Sequence, residues 1–273
     1  MQELKTESLI QDFAFKKQFG QNFLTDTNLL TAIANDAGIT SEDEVLEIGA
    51  GAGALTQILC KMAKKVVSYE IDTELKPILS KNLQNFDNIE LIFKDIMKEN
   101  IEEIKKHFSG KFKIVANLPY YITTPIIFKF LESCDDIISL TIMVQKEVAE
   151  RLAARAGTKD YGAITVAVNV ITDAKITRIV NKQMFTPRPK VDSAIVNMVV
   201  NKNKYSVTDF AKLNNLIRVA FAMRRKTLLN NLKQGFNMSN EEAKGLIINS
   251  GLSENVRGEE LTTEQFVALS RDL

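Results

Sequence analysis

Short apolar runs alternate with amphipathic segments between Glu44 and Val144, and this alternation predicts strands separated by helices. Runs rich in β-branched and aromatic residues predict strands at 45–48, 65–69, 89–93, 112–116 and 137–144. Helices are predicted over 54–62, from Asp72 through Leu83, and onward from Thr124. The run 137–144 is apolar throughout, as is typical of a central parallel strand covered on both faces. The pattern therefore predicts an α/β fold with a Rossmann-like, doubly wound, mostly parallel sheet.

The periodicity changes on either side of this region. A helix is predicted over 26–37, and two final strands, which could pair antiparallel, over 175–180 and 193–200. Helical spacing dominates after Asn201, with helices predicted over 207–222, 226–232, 240–248 and 263–270. We therefore predict one domain over 1–201, with a basic N-terminal arm over 1–25, and a small all-helical domain over 202–273.

Composition is that of an ordinary globular protein, with 45% apolar and 25% charged residues among 273. We find neither an apolar run of about 18 residues nor a secretory signal, which predicts a cytoplasmic protein without a membrane span. Cys60 and Cys134 are predicted to be buried free thiols. With a single histidine, His107, the chain offers no usual zinc-ligand pattern, and we expect no metal.

Positive charge is concentrated in one segment of a chain whose net charge is only +1. Between Lys202 and Lys233 eight basic residues face one acidic residue, Asp209. Such a cluster is typical of a patch that binds a polyanion, although a solvated helix face would have the same composition. Charge alone leaves both interpretations open.

A glycine-rich turn, 47–53, joins the first predicted strand of the sheet to the helix that follows. Glycines allow the backbone to approach a ligand closely and leave helix N–H groups available. Gly49, Gly51 and Ala54 also satisfy the dinucleotide pattern, so a nicotinamide enzyme competes with a methyltransferase that uses S-adenosylmethionine. Glu70, at the end of the next strand, would bind ribose hydroxyls in either case.

Two acidic residues favour S-adenosylmethionine. Glu47, two positions before the first glycine, would be poorly placed beside a pyrophosphate but acceptable near a cationic ligand without phosphate. Asp95 follows the third strand, where it could accept a hydrogen bond from an adenine amino group, although it could also cap a helix. Together with Asn117 after the fourth strand, polar groups stand at four successive strand ends, where α/β sheets bind ligands.

The tetrapeptide Asn117-Leu118-Pro119-Tyr120 ends the fourth of these strands. It combines an amide side chain, a restricted carbonyl and an aromatic face, which together could hold a planar base bearing an exocyclic amine. Asn and Pro are also common turn residues, so a plain turn is the alternative interpretation. Pro119 disfavours α geometry at Leu118 and would help to aim its carbonyl.

Four motifs in the same order resemble the KsgA-type rRNA adenine N6,N6-dimethyltransferases of the small ribosomal subunit. They are 18–24 (QFGQNFL), 46–51 (LEIGAG), 117–120 (NLPY) and 185–193 (FTPRPKVDS). The likeness extends from about residue 15 to the C-terminus and includes 221–228 (FAMRRKTL). Tyr121 departs from the pattern, because many relatives carry Asn there.

The resemblance implies an S-adenosylmethionine-dependent enzyme, with S-adenosylhomocysteine as product, that methylates two adjacent adenosines in a hairpin loop near the 3′ end of 16S (small-subunit) rRNA. It implies a role in ribosome biogenesis and the assembling small subunit as partner; we expect a monomer. The cofactor contacts would be Asn22, Leu24, Gly49, Gly51, Glu70, Ile71, Asp95, Ile96 and Asn117. The catalytic residues would be Asn117, Leu118, Pro119, Tyr120 and Phe185, although Phe185 could instead belong to the core. The candidate phosphate contacts are Lys16, Lys17, Arg188, Lys190, Arg224, Arg225 and Lys226.

Three other functions remain open. A resistance methyltransferase acting on large-subunit rRNA would share the fold and mechanism but usually has Ile at the position of Leu118. A DNA adenine methyltransferase fits the basic helical tail less well. A non-enzymatic RNA-binding assembly factor would not need Glu70, Asp95 and Asn117 together.

Overall fold

The computed structural model describes residues 23–24 and 26–273. Two compact units are present: one comprises the described residues up to Ala149 together with Lys175–Val200, and the other comprises Glu150–Ala174 and Asn201–Leu273. The predicted domains, 1–201 and 202–273, differ from these units in the segment 150–174, which groups with the C-terminal helices. The reason is a set of distant contacts: Tyr161 donates its hydroxyl to the carbonyl of Leu261 at 2.7 Å, and its ring centroid lies 6.0 Å from that of Phe221.

A seven-stranded sheet in the order β4-β3-β2-β5-β6-β9-β7 forms the centre of the fold. The strands are β2 (Glu44–Ile48), β3 (Lys65–Glu70), β4 (Ile89–Phe93), β5 (Phe112–Asn117), β6 (Ile137–Gln145), β7 (Thr172–Val180) and β9 (Ser193–Val200). Neighbours from β4 to β6 run parallel, and β9 runs antiparallel to β6. The predicted Rossmann-like α/β architecture is therefore confirmed.

A second, two-stranded sheet pairs β1 (Phe23–Leu24) with β8 (Phe185–Thr186), and Leu24 lies opposite Phe185. This pairing joins two of the sequence motifs that are far apart along the chain. It was not predicted, because strands of two residues carry no period that a sequence pattern could show.

The helices of the first unit lie between the strands along the chain: α1 (Thr27–Asp36), α2 (Ala54–Met62), α3 (Lys76–Leu83), α4 (Ile101–Lys105) and α5 (Thr123–Ser133), followed by α6 (Lys146–Leu152). Helix α1 begins at an N-cap, Asp26, whose carboxylate accepts the N–H of Leu29 at 2.8 Å. Leu30 and Ile33 of α1 pack with Leu55, Ile58 and β-strand residues in one core cluster. This cluster covers the face of the sheet toward which Val45 points.

The C-terminal unit is helical, as predicted: α7 (Ala163–Asn169), α8 (Phe210–Ala220), α9 (Leu228–Gly235), α10 (Asn240–Asn249) and α11 (Thr263–Asp272). Side-chain caps at Asp209, Thr227, Ser239 and Thr262 begin the last four of these helices. Helices α6 and α7 were not predicted, because each is only seven residues long and so short a segment shows little helical spacing in the sequence.

Both cysteines are buried and in the reduced thiol form, as predicted. Across 23–24 and 26–273, no helix is long and apolar enough to cross a membrane. The same residues contain no cluster of three or more His, Cys, Asp or Glu side chains arranged to hold a metal ion.

Candidate active site

A cavity of about 380 Å³ opens where β2, β3, β4 and β5 end. Every predicted cofactor residue that the structure describes lines it, as do four of the five predicted catalytic residues. These residues are Leu24, Gly49, Gly51, Glu70, Ile71, Asp95, Ile96, Asn117, Leu118, Pro119 and Tyr120. The carboxyl ends of parallel strands meet at one edge of a sheet, which is why residues so far apart in sequence converge here.

The glycine turn forms one wall of the cavity. Gly49, Gly51 and Gly53 have φ angles of +84°, +56° and +84°, which L side chains rarely adopt. Gly53 is the N-cap of α2 and makes no side-chain cap, and the first turn of α2 contains no acidic residue. The amide groups at this helix start are suited to an anionic group such as a carboxylate.

Glu70 holds the glycine turn in place from the neighbouring strand. One carboxylate oxygen accepts the N–H of Gly51 at 2.8 Å, and the other accepts the N–H of Asp72 at 2.8 Å. Burial raises the pKa of the Glu70 carboxyl despite these hydrogen bonds. Glu70 therefore both stabilises the glycine turn and lines the cavity with its carboxylate.

Glu47 does not reach the cavity, which corrects the interpretation that placed it near the ligand. Side chains alternate along β2, so Glu47 points, like Val45, toward α2. Its carboxylate is 0% exposed; Oε2 accepts the hydroxyls of Thr56 at 2.7 Å and Ser68 at 2.6 Å, and Oε1 has no hydrogen-bond partner among the described residues. Burial raises the pKa of Glu47 to about 7.

The far end of the cavity combines an apolar surface with an acid. Ile71, 44% exposed, and Ile96, 5% exposed, lie close in sequence to Glu70 and Asp95 respectively. One carboxylate oxygen of Asp95 accepts the N–H of Met97 at 3.0 Å, so it caps a local turn rather than a regular helix. An apolar slot with a carboxylate at its edge is suited to a planar heterocycle that bears an amino group.

The tetrapeptide forms the opposite wall. Asn117 is the last residue of β5 and lies beside Met143 of β6, and a Cβ on Gly49 would lie 3.6 Å from the Asn117 carbonyl oxygen. Pro119 has φ −56° and ψ 132° and precedes the 3-10 turn Tyr120–Ile122. The Tyr120 side chain is half-buried, and its hydroxyl lies 2.8 Å from the Ser193 hydroxyl.

Phe185 is not brought to the cavity wall. It is 4% exposed and belongs to the core cluster that contains Leu24, its partner in the small sheet. This placement supports the core role that the sequence left open for Phe185, because a ring so covered has no free face for a base. Tyr121, in contrast, is 62% exposed and lines the cavity.

The structure adds residues that were not predicted for the site. Met143, 2% exposed, lines the cavity at the end of β6, and Ser193 contacts Tyr120. The continuous apolar run of β6 could have indicated Met143, since strand ends meet at this edge. Ser193 is the last residue of the motif 185–193, but the sequence does not indicate which side chain its hydroxyl contacts.

The predicted phosphate contacts fall into three groups. The first group, Lys16 and Lys17, lies outside the described residues, as does the predicted cofactor contact Asn22. Arg188 and Lys190 are exposed in the loop before β9, and Arg225 and Lys226 are exposed in the C-terminal unit. Arg224 is exposed as well, but its guanidinium is engaged within that unit, where it pairs with Glu259 at 3.2 Å and donates to the carbonyl of Lys159 at 2.8 Å.

Comparison with known proteins points to one family. Residues 12–273 match the family described as ribosomal RNA adenine dimethylase. The chain is 43% identical over 281 residues to a protein of Bacillus mycoides (strain KBAB4) named ribosomal RNA small subunit methyltransferase A, covering 98% of this chain and 95% of the relative. It is equally similar to the protein of that name from Bacillus anthracis (strain A0248).

Solved structures agree. A dimethyladenosine transferase from Plasmodium falciparum superposes with a TM-score of 0.76 at 30% identity, over 90% of this chain and 95% of that one. The 23S rRNA methyltransferase ErmE superposes with a TM-score of 0.72 at 26% identity, over 92% and 99% respectively. With the family match covering nearly all of the chain, the protein belongs to the ribosomal RNA adenine dimethylase family.

Proposed function

We propose that this protein transfers methyl groups from S-adenosylmethionine to N6 of two adjacent adenosines in a 3′-terminal hairpin loop of 16S rRNA, giving N6,N6-dimethyladenosines. Family membership supports adenine dimethylation in small-subunit rRNA. The adjacent pair and the hairpin are our more specific expectation. The single observation that carries the proposal is the cavity in which Asn117-Leu118-Pro119-Tyr120 faces Glu70, Asp95 and the glycine turn.

The residues of the cavity fit S-adenosylmethionine. Glu70 would hold the ribose hydroxyls, Ile71 and Ile96 would enclose the adenine, and Asp95 would accept its amino group. The uncapped start of α2 is suited to the carboxylate of the methionine part. When bound, this cofactor supplies an electrophilic methyl group.

Asn117 and Leu118 orient the nucleophile. An adenine N6 amine is a poor nucleophile because its lone pair is delocalised into the ring. If the Asn117 side-chain oxygen and the Leu118 carbonyl accept the two N6–H groups, the lone pair is directed out of conjugation. This is catalysis by orientation, and it needs no general base near neutral pH.

Tyr120 would stack on the adenine after the base leaves its own stack in the RNA. Its half-buried ring at the cavity wall is already in the region where the base must lie. The exposed Arg188, Lys190, Arg225 and Lys226 would contact phosphates, which position the RNA without reading its sequence. A substrate bound to the assembling small subunit is consistent with these contacts, and we expect a cytoplasmic monomer that uses no metal.

Mass spectrometry of rRNA tests the proposal. Purified protein, S-adenosylmethionine and unmethylated 16S or 23S rRNA are incubated, and nuclease fragments are sequenced. We expect N6,N6-dimethyladenosine at two adjacent positions of 16S rRNA. Methylation confined to 23S rRNA would assign the protein to the large subunit, and unmodified 16S rRNA with intact cofactor binding would overturn the enzymatic proposal.

A further inference from the structure

Tyr120 is tied to a residue outside its own motif. Its hydroxyl lies 2.8 Å from the hydroxyl of Ser193, which is 0% exposed. Burial raises the pKa of Tyr120, so the phenol stays protonated at neutral pH and can keep this hydrogen bond. A hydrogen-bonded hydroxyl pair of this kind fixes the tip of a side chain whose ring would otherwise turn about two torsions.

Sheet topology explains why Ser193 is at this edge. Strands β5 and β6 run parallel and end here, with Asn117 beside Met143. Strand β9 runs antiparallel to β6, so it begins where they end, and Ser193 lies opposite Gln145. Tyr120 therefore reaches across the end of β6 from the β5 side to the first residue of β9.

The backbone around Ser193 is held on several sides. The preceding residue, Asp192, accepts the N–H of Lys146 on its carbonyl at 3.0 Å. One of its carboxylate oxygens accepts the N–H of Lys182 at 2.9 Å. Together with the pairing of β9 and β6, these bonds make Ser193 a fixed point rather than a side chain that follows Tyr120.

We propose that Ser193 is a positioning residue for the methyl transfer, holding the Tyr120 ring at the angle at which it stacks on the target adenine. This inference rests on the proposed stacking role of Tyr120. Ser193 touches neither substrate nor cofactor in this account; it acts only through the phenol. Loss of the hydrogen bond should therefore slow the chemical step without weakening the cofactor site.

A double-mutant cycle tests the inference. Ser193→Ala, Tyr120→Phe and the double variant are compared by single-turnover methylation of 16S rRNA, affinity for rRNA, affinity for S-adenosylmethionine and melting temperature. The matched control is Ser139→Ala, a serine of the same sheet that is 4% exposed and whose hydroxyl has no hydrogen-bond partner within residues 23–24 and 26–273. Tyr120→Phe removes the same bond from the other side, so the test survives if Ser193→Ala fails to fold.

We expect Ser193→Ala and Tyr120→Phe each to lower the single-turnover rate about five- to tenfold, the effect of one lost hydrogen bond. The double variant should be no slower than either single variant, because both remove the same bond. Cofactor affinity and rRNA affinity should stay within about twofold of wild type, and Ser139→Ala should match wild type in rate.

Three results would overturn the inference. Rates equal to wild type in both single variants would show that the bond does not position the ring. Multiplicative losses in the double variant would show that Ser193 does not act through Tyr120. A fall in cofactor affinity parallel to the rate would make Ser193 a structural residue only. In contrast, a wild-type protein that leaves 16S rRNA unmodified would refute the proposed function itself.

Discussion

Replacing Glu47 with Gln should raise the stability of the protein relative to wild type as the pH rises. The Glu47 carboxylate is fully buried, and its Oε1 atom has no hydrogen-bond partner in the part of the chain that the structure describes. Burial, and secondarily the charge of Glu70, raises its pKa from 4.5 to about 7. Glutamine has nearly the same shape and carries no charge, and its side-chain oxygen can still accept the Thr56 and Ser68 hydroxyls.

The magnitude follows from the pKa shift. Below about pH 4.5 the carboxyl is neutral in the folded and the unfolded state, so its raised pKa carries no penalty. Between that pH and the folded pKa only the unfolded state loses the proton, and the free energy of unfolding falls as the pH rises. Above about pH 7 the full penalty is present, and at about 1.4 kcal/mol per pKa unit it amounts to about 3 kcal/mol.

Urea denaturation at two pH values measures this effect. We expect the difference in unfolding free energy between Glu47→Gln and wild type to grow by about 2 kcal/mol between about pH 5.5 and about pH 8.5. Glu42→Gln, at an exposed position, is the matched control and should show no such growth. If the difference in unfolding free energy between Glu47→Gln and wild type is constant across this range, the pKa of the Glu47 carboxyl is not raised by burial.

Three further predictions concern the site and the RNA contacts. Asp95→Ala should weaken S-adenosylmethionine binding at least about tenfold in titration calorimetry, because a charge-assisted hydrogen bond to adenine is lost; unchanged affinity would remove Asp95 from the adenine slot. Lys129→Met should weaken cofactor binding about threefold with little change in melting temperature. The reason is that the Lys129 ammonium donates to the carbonyls of Met97 at 3.2 Å and Glu99 at 2.5 Å and so fixes the loop after β4. An affinity equal to wild type would contradict this role. Changing both Arg225 and Lys226 to Ala should make the slope of log K for rRNA binding against log salt concentration shallower by about one per lost phosphate contact. An unchanged slope would exclude both residues from the interface.

The sheet was predicted well, and the described residues proposed for the cofactor line one cavity, for one physical reason. Parallel strands alternate with helices here, and each strand end carries a polar or small residue that must lie at the same edge. Helix 54–62 and strand 89–93 were predicted with the bounds that the structure has. Once the strands are known, Gly49, Glu70 and Asn117 have to converge, whatever their separation along the chain.

Contacts between distant, irregular segments could not be predicted in this way. Leu24 pairs with Phe185 in strands of two residues, and Tyr161 joins segment 150–174 to the C-terminal helices through Leu261. Neither contact leaves a periodic trace in the sequence. Glu47 is different: alternation along β2 already pointed it away from the ligand edge and toward α2, so its burial could have been predicted from the pattern alone.

An Asn117→Ala variant separates orientation of the target amine from binding of the RNA. The variant is assayed for S-adenosylmethionine binding, 16S rRNA binding and single-turnover transfer, with Asn85→Ala, an exposed asparagine in the turn after α3, as the control. We expect Asn117→Ala to bind rRNA almost normally but to lose methyl transfer, because the acceptor that orients the adenine amine is gone. Transfer at the wild-type rate by this variant would show that Asn117 does not orient the amine.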